Sequence, residues 1–557
     1  MKISRRILSF ILVMNLAVMS LFVCGAAAPE SGNTTEYFEN IGDMTPASTD
    51  AANHISEVFP AYTLTQADIK LFEKQLGICE RMLERHANAS IFEAAVDSLD
   101  DLVSEIQTQS LIAEVLYYYD MEDETLENNY LYATEVSSEL GNRYIVFLQE
   151  VYNSGIPEYE EFFAEWSEIE LKYLDSGSEE AAALELRNAE IMTETYALSG
   201  ADFENQIGPL YSEFVVNSNQ IAQLSGYDNY YEYASELVYV RDYEKAEREA
   251  FRGYVAEYIV PIYNESYQWY QDAYDNLDRE GKGLFRDLMF DDYQDLEEDY
   301  LDEYFASLSP SVTEGMQHMF VNDNYVVTGS RKSYDGAFTV SVYDDPFCYF
   351  GPGYQNAFTV IHEIGHYYAE LCSETSWVSY DLCETHSQGN EMLYLKYLES
   401  ELPEDVYDAI MYYQLYYFAE LIVQATLVDD FEERVYNTPD IASYTTEDFD
   451  GIVAEVLADY GIDESDEYMQ ECVAWLWRNI GVSSPVYYLS YATSAMASLN
   501  IYGQSVEDYD AAVEAYRKIQ EEVDEEHTFT VTLENAGIPS VFEEEAYLIL
   551  SDIFDTE

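Results

Sequence analysis

The sequence predicts a mostly α-helical protein with one small β-sheet. Two observations carry this. Apolar residues recur at three- and four-residue spacing through most of the chain, which lines them up on single helix faces, and only 13 prolines interrupt 557 residues. The best strand candidates are confined to residues 325–350, where short β-branched runs are bounded by turn residues.

The chain opens with Lys2, Arg5 and Arg6, then an apolar run from Ile7 to Val23, then the small residues Gly25-Ala-Ala-Ala28. This is the pattern of an export signal over residues 1–28. Leu21-Phe-Val-Cys24 followed by Gly25 offers a lipoprotein reading, with Cys24 acylated, although Val23 is bulkier than the small residue expected there. A retained anchor is the third reading, on a short span. All three put the body of the protein outside the cytoplasm, secreted or at the cell surface, with membrane contact only through an N-terminal lipid or an uncleaved signal. Residues 29–55 are polar, lack apolar periodicity and read as a flexible linker.

From Tyr62 to Ile207 the pattern is helical. Leu71, Leu76, Met82 and Leu83 share helical spacing, as do Leu102, Ile106, Leu111, Ile112 and Val115. Ser154-Gly-Ile-Pro157 and Asp175-Ser-Gly-Ser178 are the breaks. A helix ends at Gly226 and another starts after the turn. Tyr325–Thr328, Ala337–Tyr343 and Phe347–Phe350 are the strands, and Gly351-Pro-Gly353 ends them. Helices follow over Leu382–Leu398, Tyr407–Tyr436, Thr446–Asp459, Asp466–Asn479, Tyr487–Ile501, Val506–Val523 and Val541–Phe554.

The chain carries 109 acidic and 24 basic residues, a net charge of −85. Nucleic acid is excluded as a partner, because phosphate contacts need Lys and Arg. The acid is spread along the whole chain, as in a surface adapted for solubility. Six cysteines include no C-x-x-C pair, so a cysteine metal site is not expected.

The densest chemistry lies in Phe358-Thr-Val-Ile-His-Glu-Ile-Gly-His-Tyr-Tyr368. His362 and His366 are four apart, hence on one helix face. Two neutral imidazoles at that spacing can hold one zinc ion, and Glu363 can take a proton from a water on it. A catalytic zinc needs a third protein ligand. Glu384, His386 and Glu374 are the candidates, and Glu391 lies two turns beyond Glu384, able to accept the outer N–H of a ligating His. Gly365 inside this helix suggests close approach of the helix that carries Glu384. His54, His86, His318 and His527 lack partners at ligand spacing.

With these residues in view, the chain resembles the oligoendopeptidase F and thimet-oligopeptidase family of zinc metallopeptidases. The matching blocks are His362-Glu-Ile-Gly-His366, Glu384-Thr-His-Ser-Gln-Gly-Asn-Glu391 and Pro485-Val-Tyr-Tyr-Leu-Ser-Tyr-Ala-Thr493. Weaker matches are Gly336-Ala-Phe-Thr339 and Leu224-Ser-Gly-Tyr-Asp-Asn-Tyr-Tyr-Glu-Tyr233. The resemblance implies an elongated, two-lobed helical fold with a deep substrate channel and a small sheet beside the metal helix. The chain thus divides into a signal or lipoprotein signal at 1–28, a linker at 29–55, an N-terminal helical region at 56–207 and the region 208–557, where the resemblance places the catalytic part. One zinc ion per chain would be held by His362, His366 and Glu384. Glu363 would be general base, and Tyr487 and Tyr491 would present hydroxyls to the scissile carbonyl. The substrates implied are short oligopeptides.

Two features depart from that family. The link from His366 to Glu384 is several residues shorter, and no His stands in Arg478–Ser484 before the tyrosine block. Cys372 and Cys383 flank the shortened link, either bridged across it or as two buried thiols. Two rival functions use the same residues. A zinc carboxypeptidase or dipeptidyl carboxypeptidase would need a cation for the substrate carboxylate, with Arg331, Lys332 and Arg478 as candidates. A surface lipoprotein that only binds peptides would not need Glu363.

Overall fold

The computed structural model describes Met44 and residues 63–553, apart from 164–165, 167–170, 173, 175–178, 291–299, 309, 343–344, 373–378, 463–465 and 522–527. The export signal with Cys24, the break at Asp175–Ser178, Glu374, His54 and His527 lie outside the described residues. The described residues are mostly helical, with one three-stranded sheet.

Helix α1 (Gln66–Glu84) starts at a capping box in which Thr65 and Asp68 satisfy each other's backbone N–H groups. Its buried face is Ile69, Phe72, Leu76 and Cys79. Leu71, expected on that face, is 46% exposed, because the stripe runs 69–72–76–79 and position 71 falls outside it. Met44, within the expected linker, is buried and donates its N–H to Leu64 O at 3.1 Å. Helices α2 (Ala89–Tyr119) and α3 (Glu124–Tyr152) pack along each other. The break expected at Ser154–Pro157 separates α3 from a short 3₁₀ turn at Glu160–Phe163. Helices α4 (Glu179–Ala197) and α5 (Gly200–Leu224) follow, and α5 ends where expected, with Gly226 left-handed at φ +88°.

Short helices lead to the strands β1 (Tyr325–Val327), β2 (Ala337–Val342) and β3 (Asp345–Phe350). The order is β1-β3-β2, with β1 parallel and β2 antiparallel to β3. Alternation along β2 gives it two different faces. Phe338, Val340 and Val342 join a cluster with Ile112, Val115, Tyr118 and Tyr130 of the N-terminal helices. Thr339 and Ser341 face the other way, hydrogen-bonding Glu363 and Glu370. The sheet is therefore a spacer between the N-terminal helices and the helix that follows it. Among the described residues, β2 pairs only with β3, so its outer edge is open.

That next helix is α6 (Ala357–Cys372), which buries Phe358, Ile361, Ile364 and Tyr367. Burial of such side chains stabilises by about 1.5–3 kcal/mol each. It packs on the sheet, on α7 (Tyr380–Glu401) and on α10 (Tyr509–Glu521). Helix α7 lies against α9 (Leu489–Glu507), and α9 against α8 (Glu404–Tyr436). The break between α9 and α10 falls at Asp508, later than the 502–505 expected, because Gly503 is buried within α9. No described helix is long and apolar enough to cross a membrane.

Candidate metal and catalytic site

Helix α6 begins where Asn356 Oδ1 accepts the Thr359 N–H at 3.1 Å. One turn further, His362 and His366 project from one face with ring centroids 4.9 Å apart. Glu384, in the first turns of α7, comes between them. Its Oε2 lies 3.5 Å from His362 Nε2 and 3.7 Å from His366 Nε2. The three ligand atoms all lie within 4.8 Å of one another, and this is the one such cluster of His, Cys, Asp or Glu among the described residues. Ser387 Oγ donates to Glu384 Oε2 at 3.0 Å and fixes that oxygen. His362 Nδ1 lies 2.7 Å from Glu391 Oε1. That contact occupies Nδ1, so Nε2 is the nitrogen on the side of His366 and Glu384 and offers its lone pair once its proton is lost. Two imidazole nitrogens and a carboxylate oxygen, with one His oriented by a carboxylate, fit a zinc ion in donor type and number.

The two helices meet this closely because of Gly365. A Cβ there would lie 2.5 Å from His386 O and 2.7 Å from Ser387 Cα. The expected role of Gly365 is thus found as a backbone-to-backbone contact. Asn390 adds a pin, donating from Nδ2 to Ile361 O at 2.7 Å, and Tyr304 OH holds its Oδ1 at 2.7 Å.

Glu363 points to the sheet side of α6. It is 5% exposed, and its Oε2 accepts the Thr339 hydroxyl at 2.8 Å. Burial raises its pKa to about 7, partly offset by His362 and the Thr339 bond. This is the range a general base needs near neutral pH. Burial lowers His366 to about 4, so its ring is neutral and ready to ligate. Burial also disfavours the His362 imidazolium, but the Glu391 hydrogen bond and nearby carboxylates outweigh it and lift the pKa to about 10. A metal ion on His362 Nε2 must therefore displace a proton. Apparent zinc affinity should rise about tenfold per unit between about pH 6 and pH 8, with roughly one proton released per ion. Calorimetry in buffers of different ionisation heat checks this; uptake with no proton release would contradict the His362 geometry.

Tyr487 and Tyr491 also reach this site. Their rings are 5.1 Å apart, and both feel the Glu384 carboxylate. Tyr239 and Tyr380 pack on Tyr487 at 5.7 and 6.1 Å.

His386, the rival ligand, is turned away. Its ring is buried with Nε2 unpartnered and lies toward the Ile519 backbone on α10. Burial depresses its pKa to about 3. Cys372 and Cys383 are free thiols. Cys372 lies against Tyr368 and Glu521, whereas Cys383 Sγ turns back to Ser379 O at 4.0 Å, so no disulfide closes the link. His318 Nδ1 contacts Tyr367 OH at 2.7 Å, a structural role.

Sequence reasoning missed Thr339 as the partner of Glu363. The Gly336-Ala-Phe-Thr339 match contained it without indicating a role. It also missed Tyr417 of α8, 47% exposed, whose hydroxyl feels Glu391 and Glu384. With 54 tyrosines in the chain, nothing in the sequence singles it out.

This architecture of long helices, one small sheet against the motif helix, and a second helix crossing it at Gly365 is the oligoendopeptidase F fold. Among solved structures, the chain is similar to one assigned as an oligoendopeptidase F from Bacillus anthracis str. Ames, with 15% identity and a TM-score of 0.64 over 87% of this chain and 95% of that one. PZ peptidase A, solved with an inhibitor, gives 15% identity and a TM-score of 0.63 over 87% and 96%. Oligoendopeptidase F from Enterococcus faecium gives 13% and 0.54 over 91% and 97%. No family model and no curated protein sequence matches the chain.

Proposed function

We propose that the protein is an exported zinc-dependent endopeptidase that hydrolyses short, unfolded peptides. The observation that carries this is the convergence of His362 Nε2, His366 Nε2 and Glu384 Oε2 beside the buried Glu363. Zinc held by those three atoms would supply Lewis acidity to the scissile carbonyl and to the attacking water. Glu363 takes the proton from that water and passes it to the leaving amine nitrogen. The Thr339 hydroxyl keeps the carboxylate aimed. Tyr487 and Tyr491 donate to the oxygen that gains charge as the carbonyl is attacked. An extended peptide lies along the open edge of β2, adding a strand whose backbone bonds are independent of side chain. That edge is next to Glu363 through Thr339, so it would set the scissile bond over the base.

The likeness in fold to structures titled as peptidases supports the reaction class. We assign residues 56–207 to the wall facing the sheet and 208–557 to the catalytic part, with 1–28 as the export signal and 29–55 as the linker. Two of the three candidate clamps of the carboxypeptidase reading are engaged by acidic neighbours. Arg478 is bound to Asp450 at 2.5 Å and Lys332 to Glu122 at 2.9 Å.

The test is cleavage of a quenched oligopeptide acetylated at one end and amidated at the other. An endopeptidase cuts it internally. Activity restricted to the peptide with a free carboxylate would replace this reading by the carboxypeptidase.

A further inference from the structure

We propose that Arg241 is a positioning residue, locking the Glu384 helix and the Tyr487 turn to each other through one buried cluster. The side chains of Arg241 and Asp381 are both 0% exposed, and Arg241 Nε lies 3.5 Å from Asp381 Oδ1. Asp381 is in the first turn of α7, three residues before Glu384. Its other oxygen accepts from Tyr243 OH at 2.5 Å, and its carbonyl accepts the Ser494 hydroxyl of α9. The same guanidinium reaches the tyrosine turn, where Nη2 donates to Val486 O at 2.9 Å and to Ser490 Oγ at 3.1 Å.

The turn it grips is strained. Val486 has φ +66°, a left-handed conformation that a β-branched residue strongly disfavours. It is clamped from both sides, since its N–H donates to Glu432 Oε1 at 2.9 Å while its carbonyl takes Arg241. Val240, next to Arg241, is left-handed as well, at φ +53°. Just before it, Ala234–Val238 forms a π-helical turn, and Arg241 N–H closes on Ser235 O at 2.9 Å. Tyr239 OH donates to Pro485 O at 2.6 Å, and the Arg241 guanidinium stacks over the Tyr239 ring. Two strained valines thus immediately precede the gripping arginine and the gripped tyrosine. Strain of this kind persists only where surrounding contacts over-determine it, and it concentrates at functional sites. A buried ion pair is poor evidence for stability in itself and is better explained by the geometry it specifies. Here that geometry is the distance between Glu384 and the Tyr487 hydroxyl.

The catalytic consequence rests on the peptidase reading, whereas the locking does not. Val486→Gly removes the reason for strain and keeps every partner side chain. Arg241→Lys keeps the charge but cannot hold Asp381, Val486 and Ser490 together. Hydrogen exchange by mass spectrometry reads the lock directly over residues 484–491. Both variants should exchange there about tenfold faster or more than the wild-type chain, with Val486→Gly keeping its bound zinc although loss of the buried Val486 side chain lowers its melting temperature. On the end-blocked peptide, Val486→Gly should lose about tenfold to a hundredfold in kcat with little change in KM. Unchanged exchange over 484–491 in both variants would overturn the lock, and wild-type kcat in a Val486→Gly chain with loosened exchange would overturn its catalytic role. A wild-type chain that cleaves no peptide would refute the proposed function and the catalytic role with it, and the exchange result would still decide the lock.

Discussion

Glu363→Gln leaves zinc uptake intact and lowers kcat/KM on peptides by about 10²–10⁴-fold, the usual contribution of a positioned general base. The substitution is nearly isosteric. The amide oxygen can still accept the Thr339 hydroxyl, and the residue is not one of the three clustered ligand atoms. The site thus keeps its shape and its metal but loses the group that takes a proton. Zinc content measured on the same preparation as the kinetics separates the two effects. A Gln variant with substantial turnover would remove Glu363 from the reaction.

Gly365→Ala has the largest expected effect on structure. Ala is the better helix former by about 1 kcal/mol, so helix propensity alone predicts a gain. The added carbon, however, meets His386 O at 2.5 Å and Ser387 Cα at 2.7 Å. Both are backbone atoms of α7 and cannot rotate away. Overpacking of this kind costs about 1–3 kcal/mol and sometimes more, which outweighs the propensity gain. The relief available is separation of α6 from α7, which also draws Glu384 away from His362 and His366. The variant should therefore melt at a lower temperature and bind zinc more weakly. A variant with unchanged melting temperature and zinc affinity would show that the two helices do not meet at Gly365.

The parts of the molecule that follow a local rule were legible in the sequence. Helix periodicity gave the end of α5, and α7 and α8 nearly to their ends, and β-branched runs bounded by turn residues gave all three strands. The His362–His366 spacing gave a helix face, and Gly365 gave the close approach. The third ligand position was harder, because acidic residues are everywhere in this chain. Glu384 and His386 are two apart on one helix and cannot both face α6 ligands. Only the register of α7 against α6, set by Gly365 and Asn390, turns Glu384 inward and His386 toward Ile519. The link between Cys372 and Cys383 was ambiguous for a related reason, since spacing does not tell where two thiols point. The Arg241 cluster left no trace in the sequence. The contacts of Arg241 and Tyr243 with Asp381, Val486 and Ser490 join residues 138 to 249 positions apart, and although Val486 and Ser490 lie in the tyrosine block, Arg241, Tyr243 and Asp381 belong to no matching block. Thr339 was in view within a matching block, but its contact with Glu363 depends on which face of β2 turns to α6.

The central claim is that His362, His366 and Glu384 hold the zinc on which peptide hydrolysis depends. One titration tests it: turnover of the end-blocked peptide as zinc is stripped by a chelator and then restored. Turnover should fall to background on stripping and return in proportion to zinc, saturating at about one ion per chain, as expected for a single three-ligand site. Full turnover by a chain stripped of zinc, or saturation that persists after His366→Ala, would contradict the account.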